Sequence, residues 1–242
     1  MAAEWLQPDW PAPRKVRALS TTRLGGVSAG PYTSLNLGEH VGDDPRAVSA
    51  NRQRLQRRLG QAEPRWLKQV HGIRVAMDSD PVPEAADASV SRRPGTACVI
   101  MTADCLPVIF CDKGGTTVAA AHAGWRGLSA GVLEATLKSM GSSDVMAWMG
   151  PAIGPQAYEV GDEVRQAFVV QSPEAAKAFA AGKVPGKWWC DLYALARQRL
   201  EAGGVKDIYG GGFCTFTDRE RFFSFRRDGE CGRMATLIWL ED

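Results

Sequence analysis

An α+β domain, with mixed β-sheets flanked by helices in a single layered unit, is the fold this sequence predicts, and three observations predict it. Four amphipathic stretches carry helix start and stop signals. Five short runs are apolar and rich in branched residues, as in strands buried on both faces. The order of these stretches puts strand after strand as well as strand after helix, which fits a mixed sheet better than a doubly wound parallel one.

The first helix opens at Asp44, a good N-cap, with Pro45 at the first helical position. Val48, Leu55 and Leu59 share a face, and Gly60 supplies the stop. Residues 97–102, 107–111 and 116–121 then read as strands. A second helix begins near Leu128, carries Leu133, Leu137 and Met140 on one stripe, and ends at Gly141. Residues 145–149 form the next strand, and 163–170 a third helix that resumes after Pro173 toward Ala180. The last helix runs from Asp191 through Leu192, Leu195 and Leu200 to Gly203-Gly204, before a strand over 235–240. Pro81-Val82-Pro83-Glu84 and Ser172-Pro173 mark loops, and neither reads as a domain boundary. With no internal repeat or long linker, one catalytic domain over residues 1–242 is expected.

A chain of 242 residues with 45% hydrophobic and 23% charged residues can bury a substantial core. Its net charge of +2 provides no broad basic field for nucleic acid, although a small anion would need only a few arginines. The start, Met1-Ala2-Ala3-Glu4-Trp5-Leu6-Gln7-Pro8, has no secretion signal pattern, and no apolar run is long enough for a membrane span. The six cysteines are then expected as reduced, mostly buried thiols in the cytoplasm. Oligomeric state is open.

The chemistry concentrates between residues 97 and 122. Two apolar strands flank Asp112-Lys113-Gly114-Gly115, a tight turn. If Lys113 and Gly114 form its centre, the ladder puts Cys105 directly opposite His122, with Cβ atoms about 5 Å apart. Pro107 cannot donate to that ladder, which allows a bulge and a slip. A facing Cys and His serve either as nucleophile and base or as two metal ligands. The chain has three histidines, His40, His71 and His122, and His71 sits in Gln69-Val70-His71-Gly72 where the backbone can turn. Two imidazoles and one thiolate suit Zn²⁺ with a fourth position open, the pattern of a catalytic site. The spacing alone, without a Cys-x-x-Cys pair, leaves buried Cys105 and capping histidines as an equal alternative.

Immediately after His122 comes Ala123-Gly124-Trp125-Arg126-Gly127, where a helix N-terminus and Arg126 would receive an anion. Aromatics and arginines alternate in Phe222-Phe223-Ser224-Phe225-Arg226-Arg227-Asp228-Gly229, with Arg233 beyond. Arg226 there would bind substrate, or the segment is a strand ending in a salt-bridged turn. Thr21-Thr22-Arg23-Leu24-Gly25-Gly26-Val27-Ser28 is either a surface loop or a substrate lid that brings in Arg23.

With these motifs assembled, the chain resembles the YfiH-like proteins, also called the laccase-domain or multicopper polyphenol oxidase family and described as purine nucleoside phosphorylases. The resemblance covers nearly the whole chain. It rests on Thr22-Arg23-Leu24-Gly25-Gly26-Val27-Ser28, Ser34-Leu35-Asn36-Leu37-Gly38, His40-Val41-Gly42-Asp43-Asp44, Gln69-Val70-His71-Gly72, Thr102-Ala103-Asp104-Cys105-Leu106-Pro107 and the segments beginning at His122, Gly150 and Phe223. It implies zinc on His71, Cys105 and His122, with these three also catalytic. It further implies phosphorolysis of adenosine, inosine and methylthioadenosine, and adenosine deamination as a second activity. Cys231 departs from the threonine expected before Gly232-Arg233. A multicopper laccase needs a histidine-rich trinuclear cluster besides a His₂Cys centre, and three histidines cannot supply both. Copper is therefore the less suited metal. A metal-free cysteine hydrolase or amidase acting on peptidoglycan precursors, a single-copper polyphenol oxidase and a nucleotide-binding protein remain the alternatives.

Overall fold

The computed structural model describes residues 5–81 and 85–241; Val82, Pro83 and Glu84 of the expected loop lie outside the described residues, as do both extreme termini. From the N-terminal side the chain forms β1 (Val16–Ser20), α1 (Pro45–Leu59), β2 (Glu63–Arg65), β3 (Val75–Ala76), β4 (Ala88–Ser91), β5 (Thr96–Thr102), β6 (Leu106–Asp112) and β7 (Val118–Ala123). Helices α2 (Trp125–Ala130) and α3 (Val132–Met140) precede β8 (Val145–Met149), β9 (Glu159–Gly161), α4 (Asp162–Val169), β10 (Phe179–Ala181) and β11 (Lys187–Cys190). The rest comprises α5 (Leu192–Ala202), β12 (Asp207–Gly210), α6 (Phe225–Asp228) and β13 (Met234–Leu240).

Two large sheets have the orders β1-β13-β5-β2 and β12-β8-β6-β7-β4-β3, and a small one β10-β11-β9. Their pairs are mostly antiparallel, with β2–β5, β3–β4 and β12–β8 parallel, so the sheets are mixed as expected. Side-chain alternation along β6 fixes the layers. Ile109 and Cys111 meet Cys98 and Ile100 of β5 and Ile238 of β13 between the two large sheets. Val108 and Phe110 face the other way, into Leu128, Leu133, Phe168 and Leu195 of the helices. Leu55 and Leu59 of α1 cover the far side of the first sheet, against Val99, Leu237 and Trp239. The layers thus run α1, four-stranded sheet, six-stranded sheet, helices α2–α5. Both large sheets are covered on both faces, which is why their strands are apolar at successive positions.

Local signals hold well where side chains act on their own backbone. Asp44 accepts from the Arg46 N–H at 2.9 Å, capping α1 as expected, and Asp191 accepts from the Ala194 N–H at 3.0 Å, capping α5. The second helix differs: it starts at Trp125 and breaks at Gly131, whose φ of 104° ends α2 and opens α3. The third does not resume as an α-helix after Pro173; residues there form a short 3₁₀ segment leading into β10. The 222–229 cluster is not a strand, because the Ser224 hydroxyl accepts from the Arg227 N–H at 3.2 Å and starts the single turn of α6.

The hairpin register also differs. Pro107 lies opposite His122 and Leu106 opposite Ala123, a displacement of two residues that puts Cys105 just outside β6 and level with Gly124. Asp112 sets the longer loop: its carboxylate accepts from the N–H groups of Thr116 and Thr117, both at 2.8 Å, and from the Thr116 hydroxyl at 2.6 Å. The ladder needs no bulge at Pro107. His122 donates its N–H across to the Asp87 carbonyl at 2.7 Å, and the Pro107 carbonyl accepts from Gly150 at 2.9 Å. Among the described residues no helix is long and apolar enough to cross a membrane.

Candidate functional site

Three separate segments converge at one end of the β6–β7 hairpin. His122 comes from β7 itself, Cys105 from the bend that enters β6, and His71 from the loop after β2. The ligand-capable atoms of these three residues lie within 4.8 Å of one another, a group that could hold a metal ion. Cys105 Sγ is 3.9 Å from His71 Nε2, and the two imidazole rings meet edge to face with centroids 4.7 Å apart. His122 is buried, Cys105 half-buried and His71 exposed, so the group opens to solvent on the His71 side.

Two backbone features bring these side chains in. His71 and Asp104 have φ values of 61° and 90°, the only positive values at non-glycine positions among the described residues. Such conformations are rare and concentrate at functional sites. Gly124 faces the group from the hairpin: a Cβ there would stand 2.9 Å from Cys105 Sγ and 3.1 Å from His71 Cδ2. The Gln69 side chain pins the His71 loop to β5, donating to the Met101 carbonyl and accepting from the Met101 N–H, both at 2.8 Å.

Asp87, which the sequence reading missed, ties the two histidines together. It is fully buried, yet its carboxylate has four donors: the N–H groups of Val70, His71 and Gly72 at 3.1, 2.8 and 2.7 Å, and His122 Nδ1 at 2.8 Å. A carboxylate accepts only, so His122 carries a proton on Nδ1, and Nε2 is the nitrogen a metal would take in place of a second proton. Burial works against the Asp87 charge, but His122 and the loop N–H groups outweigh it and hold its carboxyl below the usual range. Burial likewise pushes the Cys105 thiol up, while His122 and His71 pull it down further, to about 6. His122 is the counterpart: burial disfavours its cation, but Cys105 and Asp87 raise it to about 9.

A cavity of about 320 Å³ opens from His71 and Cys105, lined by Asp104, Trp125, Arg126, Tyr158, Phe225 and Arg226 among others. The Arg126 guanidinium lies over Trp125, 4.6 Å from the ring centroid, and makes no hydrogen bond or ion pair among the described residues. Arg226 also lines this cavity; its guanidinium donates to the Glu159 carbonyl at 2.7 Å and lies 5.1 Å from the Tyr158 ring centroid. Asp104 is held by the Thr215 hydroxyl and the Arg226 N–H, both at 2.6 Å, and borders the cavity. Arg23 does not line this cavity. Its guanidinium donates to the carbonyls of Thr33 at 2.9 Å and Arg219 at 3.2 Å and covers the Phe223 ring, outside the cavity lining. The loop that carries it is bolted down: a Cβ on Gly26 would overlap the Ser34 carbonyl at 1.9 Å.

The chain is similar to known proteins in sequence and fold. A family model described as multi-copper polyphenol oxidoreductase laccase matches residues 17–241. A protein of Pseudomonas aeruginosa named purine nucleoside phosphorylase is 59% identical over 241 residues, covering 98% of this chain and 99% of the relative. YfiH of Escherichia coli (strain K12), also named purine nucleoside phosphorylase, is 53% identical over 238 residues, 96% of this chain and 97% of the relative. The crystal structure of a Neisseria meningitidis protein superposes with a TM-score of 0.95 at 52% identity, covering 98% of this chain and 99% of that one. A Bacillus licheniformis YfiH structure gives 0.88 at 32% identity over 93% of each chain. Matched in sequence and fold along almost its whole length, the chain belongs to the YfiH-like, laccase-domain family.

Proposed function

We propose that the chain is one catalytic unit, a zinc-dependent purine nucleoside phosphorylase that also deaminates adenosine. The observation that carries this reading is a His–Cys–His donor group open on one side, beside an arginine that makes no hydrogen bond or ion pair among the described residues. The donor set suits zinc. Bonds of about 2.0–2.1 Å to nitrogen and 2.3 Å to sulfur in a tetrahedron place ligand atoms about 3.4–3.6 Å apart, so the 3.9 Å between Cys105 and His71 needs only slight contraction. Three protein ligands leave the fourth position for substrate. Across the whole chain His40 is the one histidine left over, so a laccase's trinuclear copper cluster has no ligands.

His71, Cys105 and His122 would hold the metal, with Asp87 fixing the His122 imidazole and the backbone of the His71 loop. When bound, zinc supplies Lewis-acid stabilisation of an oxygen on phosphate or water. Arg126 and Arg226 neutralise and orient the phosphate in the cavity they line. In phosphorolysis a phosphate oxygen bonds to C1′ of the ribose as the C1′–N9 bond breaks toward the base. The proton lost by hydrogen phosphate is the one gained by the departing purine, leaving ribose 1-phosphate. In deamination water takes the place of phosphate, attacks C6 of adenosine, and ammonia leaves. Adenosine, inosine and methylthioadenosine are the substrates we expect, in the reducing cytoplasm that suits a thiolate ligand and six unpaired cysteines.

One observation favours a second reading. The Cys105 thiol at about 6 beside His122 at about 9 is also the pair of a metal-free cysteine hydrolase. Metal analysis together with product identification on adenosine and inosine, with and without phosphate, separates the two. About one zinc per chain, with free base formed only when phosphate is added, is the expected result. A fully active metal-free protein would sink the zinc reading.

A further inference from the structure

Asp104 borders the cavity, yet both of its carboxylate oxygens are engaged by protein donors: Oδ1 accepts from the Thr215 hydroxyl and Oδ2 from the Arg226 N–H. Asp104 is buried and so is Thr215. The Asp104 carbonyl accepts from the Ile153 N–H at 2.9 Å, and the Thr215 N–H donates to the Ala152 carbonyl at 3.0 Å. One aspartate therefore joins four segments: the bend that carries Cys105, the loop around Ile153, the loop around Thr215, and helix α6.

The backbone explains only part of this choice of residue. A φ of 90° is a conformation that glycine adopts freely and that asparagine and aspartate adopt more readily than other side chains. A glycine would make the bend at no steric cost, so the bend alone does not call for a carboxylate.

Helix α6 does call for one. It is a single turn, Phe225–Asp228, too short to keep its shape by its own hydrogen bonds. The N–H groups of a first turn need acceptors from outside the helix. The Ser224 hydroxyl takes that of Arg227 at 3.2 Å, and Asp104, arriving from a distant segment, takes that of Arg226 at 2.6 Å. Arg227, its side chain 8% exposed, ties the turn down by donating to the carbonyls of Thr215 at 2.7 Å and Phe216 at 2.9 Å. The Arg226 side chain leaves this turn into the cavity wall, where its guanidinium donates to the Glu159 carbonyl and lies against the Tyr158 ring. Where that guanidinium reaches depends on where the turn is pinned, and Asp104 is the pin at Arg226 itself.

We infer that Asp104 is a positioning residue for the phosphate contact: it acts on the anion through Arg226, by holding the α6 turn that aims the guanidinium. This rests on the reading of Arg226 as a phosphate contact and deepens it. The role uses hydrogen-bond geometry and moves no proton. An amide therefore fills it: the oxygen of an asparagine keeps the Arg226 N–H, and its NH₂ donates to the Thr215 hydroxyl, which accepts as readily as it donates. Asparagine also tolerates the positive φ. A glycine keeps the bend and drops both bonds, so the two substitutions separate the backbone of Asp104 from its side chain.

The test is calorimetric titration of the zinc-loaded protein and its variants with inorganic phosphate. Asp104→Gly is expected to weaken phosphate about tenfold, approaching Arg226→Ala, with zinc content and far-ultraviolet circular dichroism unchanged. Asp104→Asn should weaken it no more than about threefold. The double variant of Asp104→Gly and Arg226→Ala should bind phosphate no more weakly than Arg226→Ala alone, because two residues that act through one contact do not add. Losses that add in the double variant, an Asp104→Asn as weak as Asp104→Gly, or zinc lost in Asp104→Gly would each overturn the positioning role and leave the phosphorylase reading standing. A wild-type protein that binds no phosphate overturns both.

Discussion

Replacing Asp87 with asparagine keeps the shape of the side chain but turns an amide NH₂ toward donors. If the remaining oxygen stays on the His71 N–H and on His122 Nδ1, the new NH₂ faces the N–H groups of Val70 and Gly72. Two hydrogen bonds to a charged acceptor disappear, at about 1.5–3 kcal/mol each, so about 3–6 kcal/mol is the ceiling. The loop around His71 is the part released, and its φ of 61° has to be held against a strain of order 1–3 kcal/mol. Part of the loss should appear as metal affinity, up to about 10- to 100-fold, because His122 keeps an acceptor on Nδ1 but loses its charge and the His71 loop loses two of its anchors. The remainder should appear as a lower melting temperature of the metal-free protein. Zinc competition against a chromogenic chelator, beside thermal unfolding of the apo form, measures the two parts separately. Asp87→Asn with zinc affinity and apo stability both unchanged would refute the idea that this carboxylate organises the donors.

Gly124→Ala places a methyl group 2.9 Å from Cys105 Sγ and should abolish zinc binding while leaving far-ultraviolet circular dichroism intact; retained zinc would mean the donors can move aside. Zinc should also be lost in His71→Ala, Cys105→Ala and His122→Ala and retained in His40→Ala, as read by elemental analysis; loss in the last would mean a wrong ligand set. Arg126→Ala should raise the phosphate KM roughly 10- to 100-fold with zinc unchanged and deamination much less affected, and equal losses in both reactions would refute a phosphate role. For Asp112, burial opposes the charge, but the Thr116 hydroxyl and the N–H groups of Thr117 and Thr116 prevail, lowering its pKa from the ordinary 3.8. Its stabilising contribution is therefore present above about pH 4 and is lost as the pH falls through the folded-state value. Urea unfolding should show the advantage of wild type over Asp112→Asn shrinking below that pH, and a constant difference would refute the assignment.

What could be read from the chain before the structure follows a physical division. The cap of α1 and the start of α5 were legible because Asp44 and Asp191 act on N–H groups two and three residues away. The buried strands were legible because two-sided burial leaves an uninterrupted apolar run. The hairpin register was not, since it depends on three bonds to the Asp112 carboxylate that make a longer loop than Lys113-Gly114 alone suggests. Of the site, His71, Cys105 and His122 were picked out by residue type and do converge. Asp87 carried no motif; the one signal was a carboxylate set just before an apolar run in a chain whose histidines needed an acceptor. The packing of Arg23 was not legible, because Thr-Thr-Arg-Leu-Gly-Gly looks like a flexible loop, whereas Gly26 serves close packing and the arginine donates to carbonyls of Thr33 and Arg219.

The hairpin between Cys105 and His122 has a property that bears on how this chain tolerates change. Displacement of the register by two residues, from the simple turn to the observed one, leaves thiol and imidazole on the same side of the ribbon, because side chains alternate with a period of two. Displacement by one would turn them to opposite sides and dismantle the donor group while the backbone ladder survived. Residues inserted between Asp112 and Thr117 lengthen only the connection and leave the parity of both strands untouched. A single residue inserted at Val108 or Ala120 would reverse it. A tag or reporter peptide is therefore best placed in the hairpin loop, not within β6 or β7, where every residue is buried.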